Sequence, residues 1–524
     1  MKRLILKPLA VVVAANFTAS ALAADSFPAP EMTPQEWYNA GANAVDEAKK
    51  LYPNVRRAKN VILFVGDGMG ISTVTAARIL AGQLQGKSGE ENQLTFEKLP
   101  YLALSKTYSV NQQTPDSAPT MTAMVTGVKT NDGVLSVNQH VQRGDCNQVQ
   151  GNTLATILEQ AEKAGKATGI VTTARLTHAT PAANYAHSPE RDWESDAEIP
   201  AACASFADIA RQLIEFPHGD GLEVAMGGGR DRFLPNTALD PEDTIPPKKG
   251  LRKDGRNLTA EWLTNYPNAA YAWNKEQFDA INPATTRHLL GLFERSHMEY
   301  EQDRTTDTGG EPSLSEMTAK AIDMLKQNNK GFYLHVESGR IDHGHHAGNA
   351  SRALTDTIEL AKAVKVAMEN TDPKETLIIV TADHSHVFTM AGYPKRGNNI
   401  LGKVVSTGDA DGDYAKDALG LPYTTLGYAN GPGYTGTSNS QPEGSKMYPH
   451  NPSSYAGITT GRPNLTTTDT TAPSYLQEAA VPMQSETHAG EDVAIYATGP
   501  KAYLFRGVME QNTIFHVMKE AFGF

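Results

Sequence analysis

The sequence predicts an α/β fold: a central, mostly parallel sheet flanked by helices on both faces, with a loop-rich insertion. Two observations carry this. Short apolar runs of four or five residues end repeatedly in ionisable residues, and helical patterns lie between them. An uninterrupted apolar run marks a strand covered on both faces, which is the environment of a parallel sheet.

The runs are Val61–Val65, leading into Gly66-Asp67-Gly68; Thr168–Val171, leading towards Arg175 and His178; Phe332–Val336, leading into Glu337-Ser338-Gly339; and Leu377–Val380, leading into Thr381-Ala382-Asp383-His384. The intervening helical patterns are Leu154–Lys163, Met317–Gln327 and Thr355–Glu369. In such sheets ligands bind beyond the carboxyl ends of the strands, where these acids and histidines fall. The stretch 392–480 differs, being dense in Gly, Pro, Ser, Thr, Asn and Tyr with weak periodicity, and reads as an insertion of loops and short strands. The expected division is therefore an α/β domain of residues 24–391 and 481–524, interrupted at 392–480. Asp409–Asp413 inside the insertion has its glycine at the fourth position of a would-be calcium loop instead of the sixth, and Gly420 where the final glutamate belongs, and reads as a solvated acidic turn.

Composition narrows the function. The 524 residues carry a net charge of −12 with no basic run, which argues against a protein that holds nucleic acid by neutralising phosphates. Lys2, Arg3 and Lys7, the apolar Leu9–Ala15 and the small residues Ala21-Leu22-Ala23 read as an export signal spanning 1–23, too short for a membrane span. A periplasmic or secreted location follows. The two cysteines, Cys146 and Cys203, form no C-x-x-C pair and suit a disulfide in an oxidising compartment.

Three clusters carry chemistry. Asp342 and His346 stand four apart, hence on one face of a helical turn, as two ligands of one ion would. Asp383-His384-Ser385-His386 supplies a second nitrogen-and-oxygen set, and Gly66-Asp67-Gly68-Met69-Gly70 places a carboxylate where a dinucleotide fingerprint would need bare backbone. Imidazole with carboxylate suits zinc, and carboxylates alone suit magnesium. Ser117 opens a helical pattern with Pro119 in its first turn. It reads either as an N-cap or as a nucleophile at a helix N-terminus where an anion binds.

The strings Phe64–Gly70, Pro115–Ala118, Val336–His346, Thr381–His386 and Glu486–Val493 resemble the alkaline phosphatase family, in family order, from about residue 55 to 520. The resemblance implies hydrolysis of phosphate monoesters through a phosphoserine on Ser117, two zinc ions, one magnesium ion and a homodimer. On the matching positions, Asp342, His346 and His488 would hold the first zinc; Asp67, Asp383 and His384 the second, with Asp67 bridging to magnesium; and Thr180 and Glu337 would complete the magnesium site. His178 would act there mainly through water, and Arg191 would clamp two phosphate oxygens. The insertion, notably Leu426–Tyr434, resembles the crown-like region of the animal-type enzymes. Those often carry a calcium, implied here at Glu242, Glu294, Glu311 and the Phe293 carbonyl. Pro119 departs from the small residue usual at its position.

Charge makes physical sense of the implied centre. Four carboxylates against three divalent ions leave two positive charges, and Arg191 adds a third, so a phosphate dianion is attracted despite the negative total. The competing readings are a phosphodiesterase, phosphonate hydrolase or sulfatase of the same superfamily, and a non-catalytic metal- or phosphate-binding protein. Neither Cys146 nor Ser117 completes the sulfatase pattern C/S-x-P-x-R.

Overall fold

The computed structural model describes residues 24–435, 447 and 462–524. The expected export signal and most of 436–461 lie outside the described residues. Among the described residues ten strands share one sheet: β1 (Asn60–Gly66), β2 (Tyr101–Lys106), β3 (Ala167–Arg175), β4 (Val224–Gly228), β5 (Ala269–Ala272), β6 (His288–Leu292), β7 (Phe332–Ser338), β8 (Thr376–Ala382), β9 (Val493–Thr498) and β10 (Val508–Glu510). They lie in the order β10-β2-β9-β8-β1-β7-β3-β4-β6-β5. All run one way except β9, which is antiparallel to both β8 and β2.

The four strands expected from apolar runs, β8, β1, β7 and β3, are adjacent at the centre of this sheet. Alternate residues feed opposite cores. Ile62, Phe64, Leu334, Val336, Ile378 and Val380 pack on one side with Leu80, Ile322 and Val364. Val61, Leu63, Val65, Tyr333, Leu377 and Ile379 pack on the other with Met121, Leu158 and Met518. Both side-chain rows are thus apolar, which is why these strands read as unbroken runs. Truncating one such side chain, as in Leu63→Ala, costs about 2–5 kcal/mol.

The helices begin upstream of their first periodic apolar residue when a cap permits. Ser313 and Glu316 form a capping box that starts Leu314–Leu325, and Asn349 caps Ala350–Asn370. Thr156 and Glu159 instead delay the expected Leu154–Lys163 helix to Ile157–Lys163.

Register then sets the site. Gly66 is paired with Ser338 on one side and Ala382 on the other, so β1, β7 and β8 end level. Asp67, Glu337 and Asp383 consequently share one edge. Within 392–480, strand Leu426–Gly431 pairs with Phe388–Met390 and Ala479–Pro482 in a separate small sheet. Asp411 of the acidic turn accepts hydrogen bonds from Ser26 and Lys395. Cys146 and Cys203 form a disulfide.

Candidate metal centre

Three ligand clusters converge at the carboxyl edge. The first is Asp342, His346, His386 and His488. Asp342 and His346 share the helix Arg340–His346, as their spacing requires, and their Oδ1 and Nε2 stand 3.2 Å apart. His488, brought in by the short strand His488–Ala489, places its Nε2 3.3 Å from the same oxygen and 3.1 Å from the His346 Nε2. The Nδ1–H of His346 donates to the Glu486 carbonyl at 2.5 Å and that of His488 to the Pro115 carbonyl at 2.8 Å. A carbonyl only accepts, so both Nε2 atoms present lone pairs to the same point, as ligands of one cation must.

The second cluster comprises Asp67, Asp342 and His384. The His384 Nε2 lies 3.5 Å from Asp67 and 3.2 Å from Asp383. The third joins Asp67 to His178 and Glu337, with fully buried Thr180 two residues beyond His178.

The donor set fits cations. Among the described residues, both Asp67 oxygens, Glu337 Oε1, Asp383 Oδ2 and Thr180 Oγ1 are buried without a hydrogen-bond partner. Isolated buried anions are expensive, and only positive charge at this point offsets so many. Burial and the neighbouring Asp383, Asp342 and Glu337 hold the Asp67 carboxyl well above its ordinary range, and burial with Asp383 pushes Glu337 up to about 8. Asp342, though equally desolvated, is held well below that range by His346, His386 and His488. Burial and the adjacent arginines Arg191 and Arg175 keep the His178 imidazole neutral.

Ser117 is the first residue of helix Ser117–Thr126, and the cap is Asp116, whose Oδ2 accepts from the Ala118 N–H. The N-cap reading of Ser117 is therefore displaced by one residue. Its hydroxyl faces His384 Nε2 at 3.2 Å instead. The other Asp116 oxygen pairs with Arg191 Nη1, while Arg191 Nη2 stands 3.0 Å from His178 Nε2. Arg191 is thus anchored to the residue preceding the serine and stands beside the third cluster.

Several contributors escaped the sequence reading. His386 bridges Asp342 (2.8 Å) and Glu486 (2.5 Å), both contacts buried. A Cβ on Gly68, whose φ is +69°, would collide with the His386 ring. His386 follows His384 by two residues, and nothing local distinguishes the role of one from that of the other. His297 joins His178 and His343 in a histidine group, yet donors from Arg175 and Arg340 face its rings. The implied calcium ligands gain a neighbour that the sequence reading did not name. Glu242 and Glu294 do approach each other, with Asp307 as the third carboxylate. Glu311 is buried nearby and accepts the Glu299 N–H. The loop from Asp303 to Gly310 carries Asp307 inward, which spacing along the chain did not reveal.

The chain matches an alkaline phosphatase family model over residues 58–524. It is 45% identical over 501 residues to an alkaline phosphatase of Gadus morhua, covering 94% of this chain and 98% of that one. To the tissue-nonspecific isozyme of alkaline phosphatase from Gallus gallus it is 45% identical over 510 residues, covering 96% and 92%. The solved alkaline phosphatase of Thermus thermophilus superposes with a TM-score of 0.61 at 25% identity, covering 91% of this chain and 93% of that one.

Proposed function

Because this chain belongs to the alkaline phosphatase family, we propose that it hydrolyses phosphate monoesters to inorganic phosphate and an alcohol through a phosphoserine on Ser117. The observation that carries this is the position of the Ser117 hydroxyl, uncommitted to capping, against clusters whose buried carboxylate oxygens lack partners. Asp342, His346 and His488 would hold one zinc, and Asp67, Asp383 and His384 a second. Asp67, Thr180 and Glu337 would hold magnesium, with His178 acting through water. When bound, the ions supply Lewis acidity towards the phosphoryl, serine and leaving oxygens.

The chain's own groups do the positioning. Arg191, its fork held by Asp116, presents its remaining N–H groups to two phosphate oxygens, and the N-terminus of helix Ser117–Thr126 adds positive potential at the same place. Ser117 gives its hydroxyl proton to solvent as its Oγ attacks phosphorus in line, and the Oγ–P bond forms as the ester P–O bond breaks and the leaving oxygen takes a proton from water to depart as the alcohol. Water then attacks phosphorus, the Oγ–P bond breaks, and phosphate leaves. A cleft of about 870 Å³ bordered by Gln112, Thr114, Asp116, Pro482, Met483 and His488 offers room for the alcohol. Catalysis rests mainly on orientation and electrostatics.

A calcium at Glu242, Glu294, Glu311 and the Phe293 carbonyl, with Asp307 beside them, and the organisation into an α/β domain with a crown-like insertion at 392–480 belong to the same reading. So does a homodimer. The helix Pro34–Ala48 has no buried residue, and Trp37 and Tyr38 are 52% and 73% exposed, which supports a second copy as their cover. Export rests on residues 1–23; among the described residues no helix is long and apolar enough to cross a membrane.

The test is turnover of p-nitrophenyl phosphate before and after exhaustive chelation. Activity is expected to vanish with the metals and return with zinc plus magnesium. Full turnover by protein shown metal-free by elemental analysis contradicts the reading.

A further inference from the structure

The small sheet around Leu426–Gly431 lies against the first metal cluster, and one of its side chains grips the chain segment that builds it. Asn430 pairs with Val481 in that sheet. Its Nδ2 donates to Thr487 Oγ1 at 2.9 Å, and its Oδ1 accepts the Thr487 N–H at 3.1 Å. Both ends of one amide are thus spent on one residue. The strand sits close: a Cβ on Gly431 would stand 3.1 Å from the Glu486 Cβ.

Thr487 lies between two residues that reach every member of the cluster. Glu486 takes the His346 Nδ1–H on its carbonyl, and its carboxylate takes His386 and the Val387 N–H. His386 in turn meets Asp342. His488 on the other side brings its own Nε2 to Asp342. The preceding residues, Val481 to Ser485, are exposed, so the segment enters the site from solvent with Asn430 at its point of entry. The same strand touches this layer again two residues earlier. Tyr428 Oη lies 2.8 Å from His345 Nδ1, and the His345 ring stacks on His386 with centroids 4.8 Å apart.

We propose that Asn430, a residue of the 392–480 segment, is a positioning residue for the Asp342–His346–His488 cluster, acting through the Glu486–His488 tripeptide. The proposal rests on the metal reading given above. Groups that orient a metal's ligands typically change affinity 10–100-fold when removed. Asn430→Leu keeps the size and loses both bonds. Asn430→Asp keeps the accepting oxygen for the Thr487 N–H, and the Thr487 hydroxyl can turn and donate to it, so both bonds survive.

The experiment loads full-length wild type and both variants with zinc and magnesium, challenges them with chelator, and follows each metal by elemental analysis alongside the melting temperature. Asn430→Leu is expected to lose one of its two zincs at least tenfold faster than wild type, with the other zinc and the magnesium held normally, and Asn430→Asp to behave as wild type. Thr487→Val removes the hydroxyl half of the latch alone and should fall between them, which keeps the test available if Asn430→Leu does not fold. Release of all metals in parallel, or wild-type retention in Asn430→Leu and Thr487→Val, overturns the proposal. A wild type that holds no zinc at all overturns the metal reading, and the proposal with it.

Discussion

The hydroxyl of Ser117 lies 3.2 Å from the Nε2 of His384, a residue 267 positions away in the chain. Asp116, and not Ser117, caps the first turn of the helix Ser117–Thr126. Two substitutions separate these duties. Ser117→Ala should leave the melting temperature nearly unchanged, because no cap is lost. Asp116→Ala should destabilise by about 1 kcal/mol through the lost cap and also raise KM, since Arg191 loses its anchor. Equal destabilisation by both in thermal melts would return the capping role to Ser117.

His178→Asp tests the third cluster. A neutral imidazole lends no charge beside Asp67 and Glu337, whereas an aspartate adds a fifth carboxylate and tightens magnesium by Coulomb attraction. Magnesium retention under chelator should therefore improve. Faster loss than wild type would show that this residue does not face the third ion.

Glu162 and Glu223 give a pH test remote from the metals. Burial, before the repulsion of nearby Asp220, pushes Glu162 up to about 8, and burial with Glu162 beside it pushes Glu223 up to about 9. Folded pKa values above the unfolded ones mean that the native state binds the extra protons, so stability falls as pH rises from about 4.5 to 9. Glu162→Gln still accepts from Thr168 Oγ1 and never ionises. Its melting temperature should exceed that of wild type at pH 9 by more than at pH 5, and a pH-independent difference would refute the assignment.

The disulfide closes a loop of 57 residues, worth roughly 4 kcal/mol in the loop-entropy account. Cys146→Ser with Cys203→Ser should lower the unfolding free energy by about that amount in denaturant titration. Two free thiols in the denatured, unreduced wild type would show that the bridge does not form.

What was legible in the sequence was what a residue does irrespective of its neighbours. β1, β3, β7 and β8 announced themselves because both faces are apolar, and Asp342 and His346 because one helical turn joins them. Strand β2, Tyr101–Lys106, one in from the sheet's edge, alternates buried and partly exposed residues over its second half and left no such mark. The ligand assignments came from resemblance, which names matched positions and not their supports. Asp116, His386 and Asn430 take their roles from partners 44 to 100 residues away, and no local spacing encodes those meetings. Asp307 joins Glu242 and Glu294 for the same reason, since a loop's path decides which carboxylates meet.

The central claim is that Ser117 carries the phosphoryl group. Incubating the wild type with labelled phosphate, quenching in acid and mapping the label by peptide sequencing tests it directly. One labelled peptide with phosphate on Ser117, absent from Ser117→Ala although that variant keeps its metals, is the predicted result. Label on any other residue would contradict the account.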